Sequence, residues 1–240
     1  MPLRTVDWQG LYDSLAGLTP YLLTGRVKDM VGLVITSRGP EGAVGRICDI
    51  ELSPGEPPIP AEIVGFRGGE VMLMPQGEVR GIRPQARVVL RTQEAMAPVG
   101  EALLGRVVDG LGNPLDGKGP LGTRLAYPLY AKPLNPCKRL PIHEPLDVGI
   151  RAINGLLTVG KGQRIGIFAG SGVGKSTLLG MMARSTRSDV SIIALIGERG
   201  REVKEFLENN LGEQGLARSC VVAATSDTPP LARLRGANLA

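Results

Sequence analysis

Apolar residues change their spacing twice along this chain, and the changes divide it into three stretches. In residues 5–17, Trp8, Leu11, Tyr12 and Leu15 recur at i, i+3, i+4 and i+7, the period of one helix face. From 21 to 92 the pattern breaks into short β-type runs at 31–35, 45–50, 61–66, 71–74 and 86–90, separated by glycine, proline and serine clusters. Short strands with frequent turn signals predict a small closed or nearly closed β-barrel. Residues 93–100 read as a linker. Beyond them strand and helix signals are longer and alternate: a helix over 147–158, strands over 164–168 and 190–196, helices over 177–184 and 203–211, a strand within 217–225, and a helix from Pro229. Alternation of this kind predicts a parallel α/β sheet. The run at 190–196 is continuously apolar, as expected of a strand covered on both faces. The dense turn signal at 109–117 adds a tight loop after residue 108.

Between the strand at 164–168 and the helix that follows lies Ala169, Gly170, Ser171, Gly172, Val173, Gly174, Lys175, Ser176 and Thr177. Strand, glycine-rich turn and helix in that order are the context of a phosphate-binding loop. The glycines let the backbone curl and aim successive N–H groups inward, and the helix adds the positive end of its dipole. Lys175 brings a full charge to the β- and γ-phosphates of ATP, and Ser176 offers a hydroxyl to Mg²⁺. Ala169 stands where the strict pattern has glycine, so the turn is expected to begin at Gly170. With 34 glycines in the chain, chance pairs of glycine are common, and the reading rests on the Gly-Lys-Ser and its flanks.

A second cluster follows the strand at 190–196: Gly197, Glu198, Arg199, Gly200, Arg201, Glu202. Ligands of parallel sheets sit at the carboxyl ends of strands, which puts Glu198 near the loop. Two roles fit it: a carboxylate that orients the water attacking the γ-phosphate, or a cap on the next helix. Arg199 would position Glu198 or offset phosphate charge.

Composition narrows the classes. A hydrophobic share of 42% with 21% charged residues describes a globular chain, and 3% aromatics calls for aliphatic cores. The formal charge of +5 is spread along the chain, which speaks against a nucleic-acid partner. An RNA-binding barrel would interleave basic residues with exposed aromatics, and 21–92 holds only Tyr21 and Phe66. Cys48, Cys137 and Cys220 are far apart and His143 is the sole histidine, so no zinc site is expected. The three thiols are expected to be buried or inert, and His143 a loop contact. No signal-peptide core or membrane-length apolar run is seen, which makes the cytoplasm the expected location.

The loop with its helix (169–184), the Gly-Glu-Arg-Gly-Arg-Glu-Val-Lys-Glu-Phe run at 197–206 and Leu-Leu-Gly-Arg-Val-Val-Asp-Gly at 103–110 together resemble the flagellar protein export ATPases. These are similar to the type III secretion ATPases and, more distantly, to the catalytic subunit of F-type rotary ATPases. The resemblance covers nearly the whole chain. It implies a helical docking segment at 1–20, a β-barrel at 21–92 and an incomplete RecA-like P-loop ATPase domain at 93–240. Its further implications are Lys175 as the phosphate-binding lysine, Ser176 as Mg²⁺ ligand, Glu198 as catalytic glutamate, and a homohexamer with sites between subunits. The implied partners are a stator-like regulatory subunit at the N-terminal helix, export chaperones with their cargo, and an export gate to which the cytoplasmic ATPase is peripheral at the inner membrane. A virulence-type secretion ATPase and a rotary proton-translocating ATP synthase subunit are the alternatives. The family's Mg²⁺-binding aspartate, arginine finger and adenine pocket are expected beyond residue 240, so this stretch alone is expected to turn over little or no ATP.

Overall fold

The computed structural model describes residues 22–92, 94–170 and 172–240; the expected docking helix lies outside them. The described residues divide into two compact units, which part after Glu94.

The first unit is a closed barrel of six antiparallel strands: β1 (Thr24–Val31), β2 (Val34–Arg38), β3 (Ile47–Ile50), β4 (Ile59–Arg67), β5 (Glu70–Pro75) and β6 (Arg87–Leu90), in the order β1-β2-β5-β4-β3-β6, with β6 returning to β1. Closure leaves no open edge. Inward positions alternate with outward ones along β5, and Val27, Ile35, Ile50, Ile63, Leu73 and Val88 form the core. The apolar run at 31–35 is not one strand. It spans the β1–β2 hairpin, because Gly32 turns the chain at φ 61° and Val31 pairs with Val34.

The second unit contains β7 (Met96–Val99), β8 (Arg106–Asp109), β9 (Leu125–Pro128), β10 (Pro145–Leu146), the short helix α1 (Arg151–Leu156) and β11 (Val159–Gly160). Helix α2 (Lys175–Ser185), β12 (Ser191–Ile196), α3 (Gly200–Glu205), a π-helical turn (Phe206–Leu211), α4 (Gly212–Ala217), β13 (Ser219–Ala224) and α5 (Pro230–Leu239) follow. β12, β13 and β8 form a parallel sheet in that order, with Val221 facing Ile193 on one side and Val107 on the other. Val203, Phe206 and Leu211 pack with Ala183 of α2 on one face of this sheet. The turn after β8 forms as expected: Asp109 accepts the N–H groups of Leu111 and Asn113, both at 2.8 Å.

Four further expectations are corrected. Residues 96–99 are a strand paired with β9, not linker. The helix at 147–158 is confined to α1, since Asp147 instead accepts from the Gly149 N–H and the Asn154 amide in a turn. β12 is buried on one face only: it is an edge strand among the described residues, and Ile192 is 60% exposed. Residues 164–168 form no strand, and Phe168 is 96% exposed. An apolar run becomes a strand only when a ladder accepts it, and none of the described strands lies alongside this one. The cysteines divide as well: Cys48 and Cys220 are buried, but Cys137 is exposed.

Candidate nucleotide site

The glycine-rich loop curls as its composition requires. Gly172 and Gly174 take φ of 77° and 103°, a region costly for any residue with a Cβ, and open space surrounds the position a Cβ would fill at each. Gly174 is the N-cap of α2, and its carbonyl starts the helix by accepting the Leu178 N–H at 2.9 Å. The first-turn N–H groups of α2 are left for a ligand. Ser171 lies outside the described residues, and Val173 is 74% exposed.

α2 is held from behind. Its Gly180 lies against Asn210 of the π-helical turn, and the Arg184 guanidinium donates to the Asn210 carbonyl. The second loop is tied to the sheet: the Gly197 N–H donates to Ala224 at 2.7 Å, and the Ser226 N–H to the Glu198 carbonyl at 3.0 Å. These bonds fix the ends of β12 and β13 side by side and aim the Glu198 side chain at the loop.

Lys175 Nζ stands 3.8 Å from Glu198 Oε1. Arg199 turns to Glu202, 3.0 Å from its Oε1. Desolvation opposes ionisation of Glu202, but hydrogen bonds from the Arg199 guanidinium and backbone hold its carboxyl below the ordinary range. The helix after Glu198 has Arg199 at its N-cap and no side-chain cap bond, so Glu198 does not act as its cap.

A cavity of about 650 Å³ opens between the loops. That is the size range of small-molecule sites. Ala169, Gly170, Gly172, Gly174, Lys175, Ser176 and Thr177 line one side, with Glu198 and Arg199 opposite. Glu202, Glu205, Asn210 and Ser226 line it too, beyond the residues expected from the sequence. Glu202 could have been found from its place in the acidic–basic run. Asn210 carries no local signal, since it arrives through the π-helical turn.

The donor set also bears on a metal. Among the described residues no group of three or more His, Cys, Asp or Glu is placed to hold one. A hydroxyl from Ser176 with nearby carboxylates fits Mg²⁺, which retains water and takes phosphate oxygens instead of an all-protein cage.

Fold and loop define the class: a P-loop nucleotide-binding domain in a parallel α/β unit, preceded in sequence by a six-stranded barrel. Residues 149–240 match the ATP synthase alpha/beta family, nucleotide-binding domain. The chain is homologous to the flagellum-specific ATP synthases of Pseudomonas aeruginosa (54% identical, covering 90% of this chain and 48% of that protein) and Salmonella typhimurium (52%, covering 99% and 55%). A type 3 secretion system ATPase of Xanthomonas euvesicatoria is 46% identical, over 89% of this chain and 48% of its own length. Among solved structures, the assembled ATPase EscN of the enteropathogenic E. coli type III secretion system superposes with a TM-score of 0.78 at 40% identity, covering 89% of this chain and 51% of EscN. EscN in complex with its central stalk EscO gives 0.79 at 42% identity, over 89% and 52%. The chain thus spans about half the length of these relatives.

Proposed function

We propose that the protein to which these residues belong hydrolyses ATP to ADP and phosphate and couples this to protein export through a flagellar type III secretion apparatus. The observation that carries the reading is the approach of Lys175 and Glu198 across a nucleotide-sized cavity, from loops that follow different segments of the chain. In this reading the loop N–H groups and Lys175 bind the β- and γ-phosphates. Glu198 orients a water for in-line attack and takes its proton. Ser176 holds Mg²⁺, which when bound offsets phosphate charge. Arg199, occupied with Glu202, positions the segment that carries Glu198.

The flagellum-specific names of the Pseudomonas aeruginosa and Salmonella typhimurium relatives support the export branch over a virulence-type ATPase or a rotary proton-translocating synthase subunit. EscN is an assembled ATPase that takes a central stalk, which supports an oligomer with partner subunits for this protein as well; the homohexamer is the form implied by the family resemblance. A stator-like subunit at residues 1–20, export chaperones with cargo, and an export gate at the inner membrane complete the proposal. The enzyme is then cytoplasmic and peripheral to the membrane; no helix among the described residues is long and apolar enough to cross one. No nucleic-acid partner is proposed.

The experiment is an ATPase assay on the full-length protein with and without an export chaperone loaded with its cargo. Hydrolysis that rises on addition supports the export reading. Hydrolysis indifferent to the chaperone but responsive to a proton gradient in reconstituted membranes would transfer the protein to the synthase branch.

A further inference from the structure

The outer surface of the barrel carries three like charges in one row. Arg26 of β1 lies at the register position opposite Arg38 of β2 and, on its other side, opposite Arg87 of β6. Like charges at directly opposed positions destabilise a sheet. The barrel core does not call for them: Gly25 and Val27 are the buried positions of this part of β1, and Arg26 points outward. All three arginines are exposed.

Neighbouring groups compensate only in part. Glu51 Oε1 lies 3.3 Å from Arg87, and Glu70 Oε1 lies 3.9 Å from Arg38 but 2.8 Å from Lys28. Arg26 donates to the Gln85 carbonyl at 3.0 Å and pairs with no carboxylate among the described residues. Three arginines and a lysine therefore meet two carboxylates. With Thr24, Gly25 and Gln85 the arginines rim a surface hollow of about 330 Å³.

We propose that this row binds an acidic helical segment of a partner polypeptide. Adjacent strands are about 4.8 Å apart, so three neighbouring strands spread the arginines over roughly 10 Å. Carboxylates at i, i+4 and i+7 of a helix spread over about the same distance, at 1.5 Å rise per residue. A single phosphate or carboxylate engages one or two guanidinium forks and leaves the third unmatched. Guanidinium groups are also weakly hydrated and suit contact with carboxylates at an interface. The proposal is independent of the nucleotide site.

The test uses the whole 240-residue chain and a fluorescein-labelled, helix-stabilised peptide carrying Glu at i, i+4 and i+7, with a Gln counterpart as comparison. Anisotropy is expected to show binding of the Glu peptide that weakens with salt and is at least tenfold tighter than that of the Gln peptide. Arg26→Gln, Arg38→Gln and Arg87→Gln should each weaken it about fivefold or more. Arg80→Gln, whose arginine pairs with Glu78 elsewhere on the surface, should leave it unchanged. If Arg26→Gln does not fold by circular dichroism, Arg26→Lys replaces it, keeping the charge without the fork, and intermediate affinity is expected. Equal binding of the two peptides, or row variants that bind like the unmodified chain, overturns the proposal. So does a row that instead captures pyrophosphate or anionic phospholipid vesicles without the peptide, or whose variants abolish only self-association.

Discussion

Lys175 and Glu198 form an ion pair at 3.8 Å between two loops, each about half exposed or less. If Glu198 orients the attacking water, Glu198→Gln in the full-length protein keeps the loop intact and removes the base. ATP affinity measured by calorimetry should persist while turnover falls by about a hundredfold or more. Lys175→Ala should weaken both. Unchanged turnover in the Gln variant removes Glu198 from the mechanism.

Purified 1–240 should show little or no multiple turnover in a coupled phosphate-release assay, although the loop and Glu198 are present. Among the described residues the run that leads into the loop pairs with no strand, so the loop's entry side lacks the support of a ladder there. Steady hydrolysis near that of the full-length protein would refute this.

Arg106 and Asp116 form a nearly buried, two-pronged pair at 2.7 and 3.0 Å, and Asp116 also accepts the backbone N–H groups of Val107 and Lys118. The Arg106 guanidinium, with those two N–H groups, holds the Asp116 carboxyl well below the usual carboxylate range. A lowered folded-state pKa gives stability that is complete above the unfolded value, about 3.9, and is lost as pH falls toward the folded one. Asp116→Asn should lower Tm at pH 7 by roughly 5 °C or more. The gap to the unmodified chain should narrow below about pH 4.

A Cβ at position 180 would stand 2.6 Å from the Asn210 Cβ and 2.8 Å from its carbonyl oxygen. Alanine favours a helix over glycine by about 1 kcal/mol, but overpacking costs about 1–3 kcal/mol and here meets backbone. Gly180→Ala should therefore destabilise in urea unfolding despite its better propensity. A stabilised variant would show that the π-helical turn yields easily.

Burial pushes the Cys48 thiol up to about 12 and raises that of Cys220, whereas Cys137 is exposed. A thiol reagent at pH 8 should label one cysteine quickly in the native chain and all three after denaturation in guanidinium.

What could be read in advance was chemistry written in contiguous residues. The loop from Gly170 to Thr177 and the carboxylate at Glu198 each announce themselves within a few positions, and the topology needs only to bring the start of α2 to the end of β12. The barrel was legible from its turn spacing, but Gly32 was hidden inside an apolar run, so a hairpin looked like a strand. Ile192 and Phe168 misled for the opposite reason: hydrophobicity says that a residue favours burial, not whether a neighbour is there to bury it. Asn210 and the Arg26–Arg38–Arg87 row depend on a π-helical turn and on cross-strand register, and neither leaves a mark in the linear pattern.

β8 has a consequence for how the unit is made. Its parallel neighbour, β13, is more than a hundred residues further along the chain. At ordinary rates of synthesis, Val107 and Val108 leave the ribosome on the order of ten seconds before the residues that will flank them. Until then this apolar segment has only its own local turn for shelter. The Asp109 turn, which closes within four residues, and then the Asp116 clasp, within ten, are thus the earliest native order available to a nascent strand still waiting for its sheet.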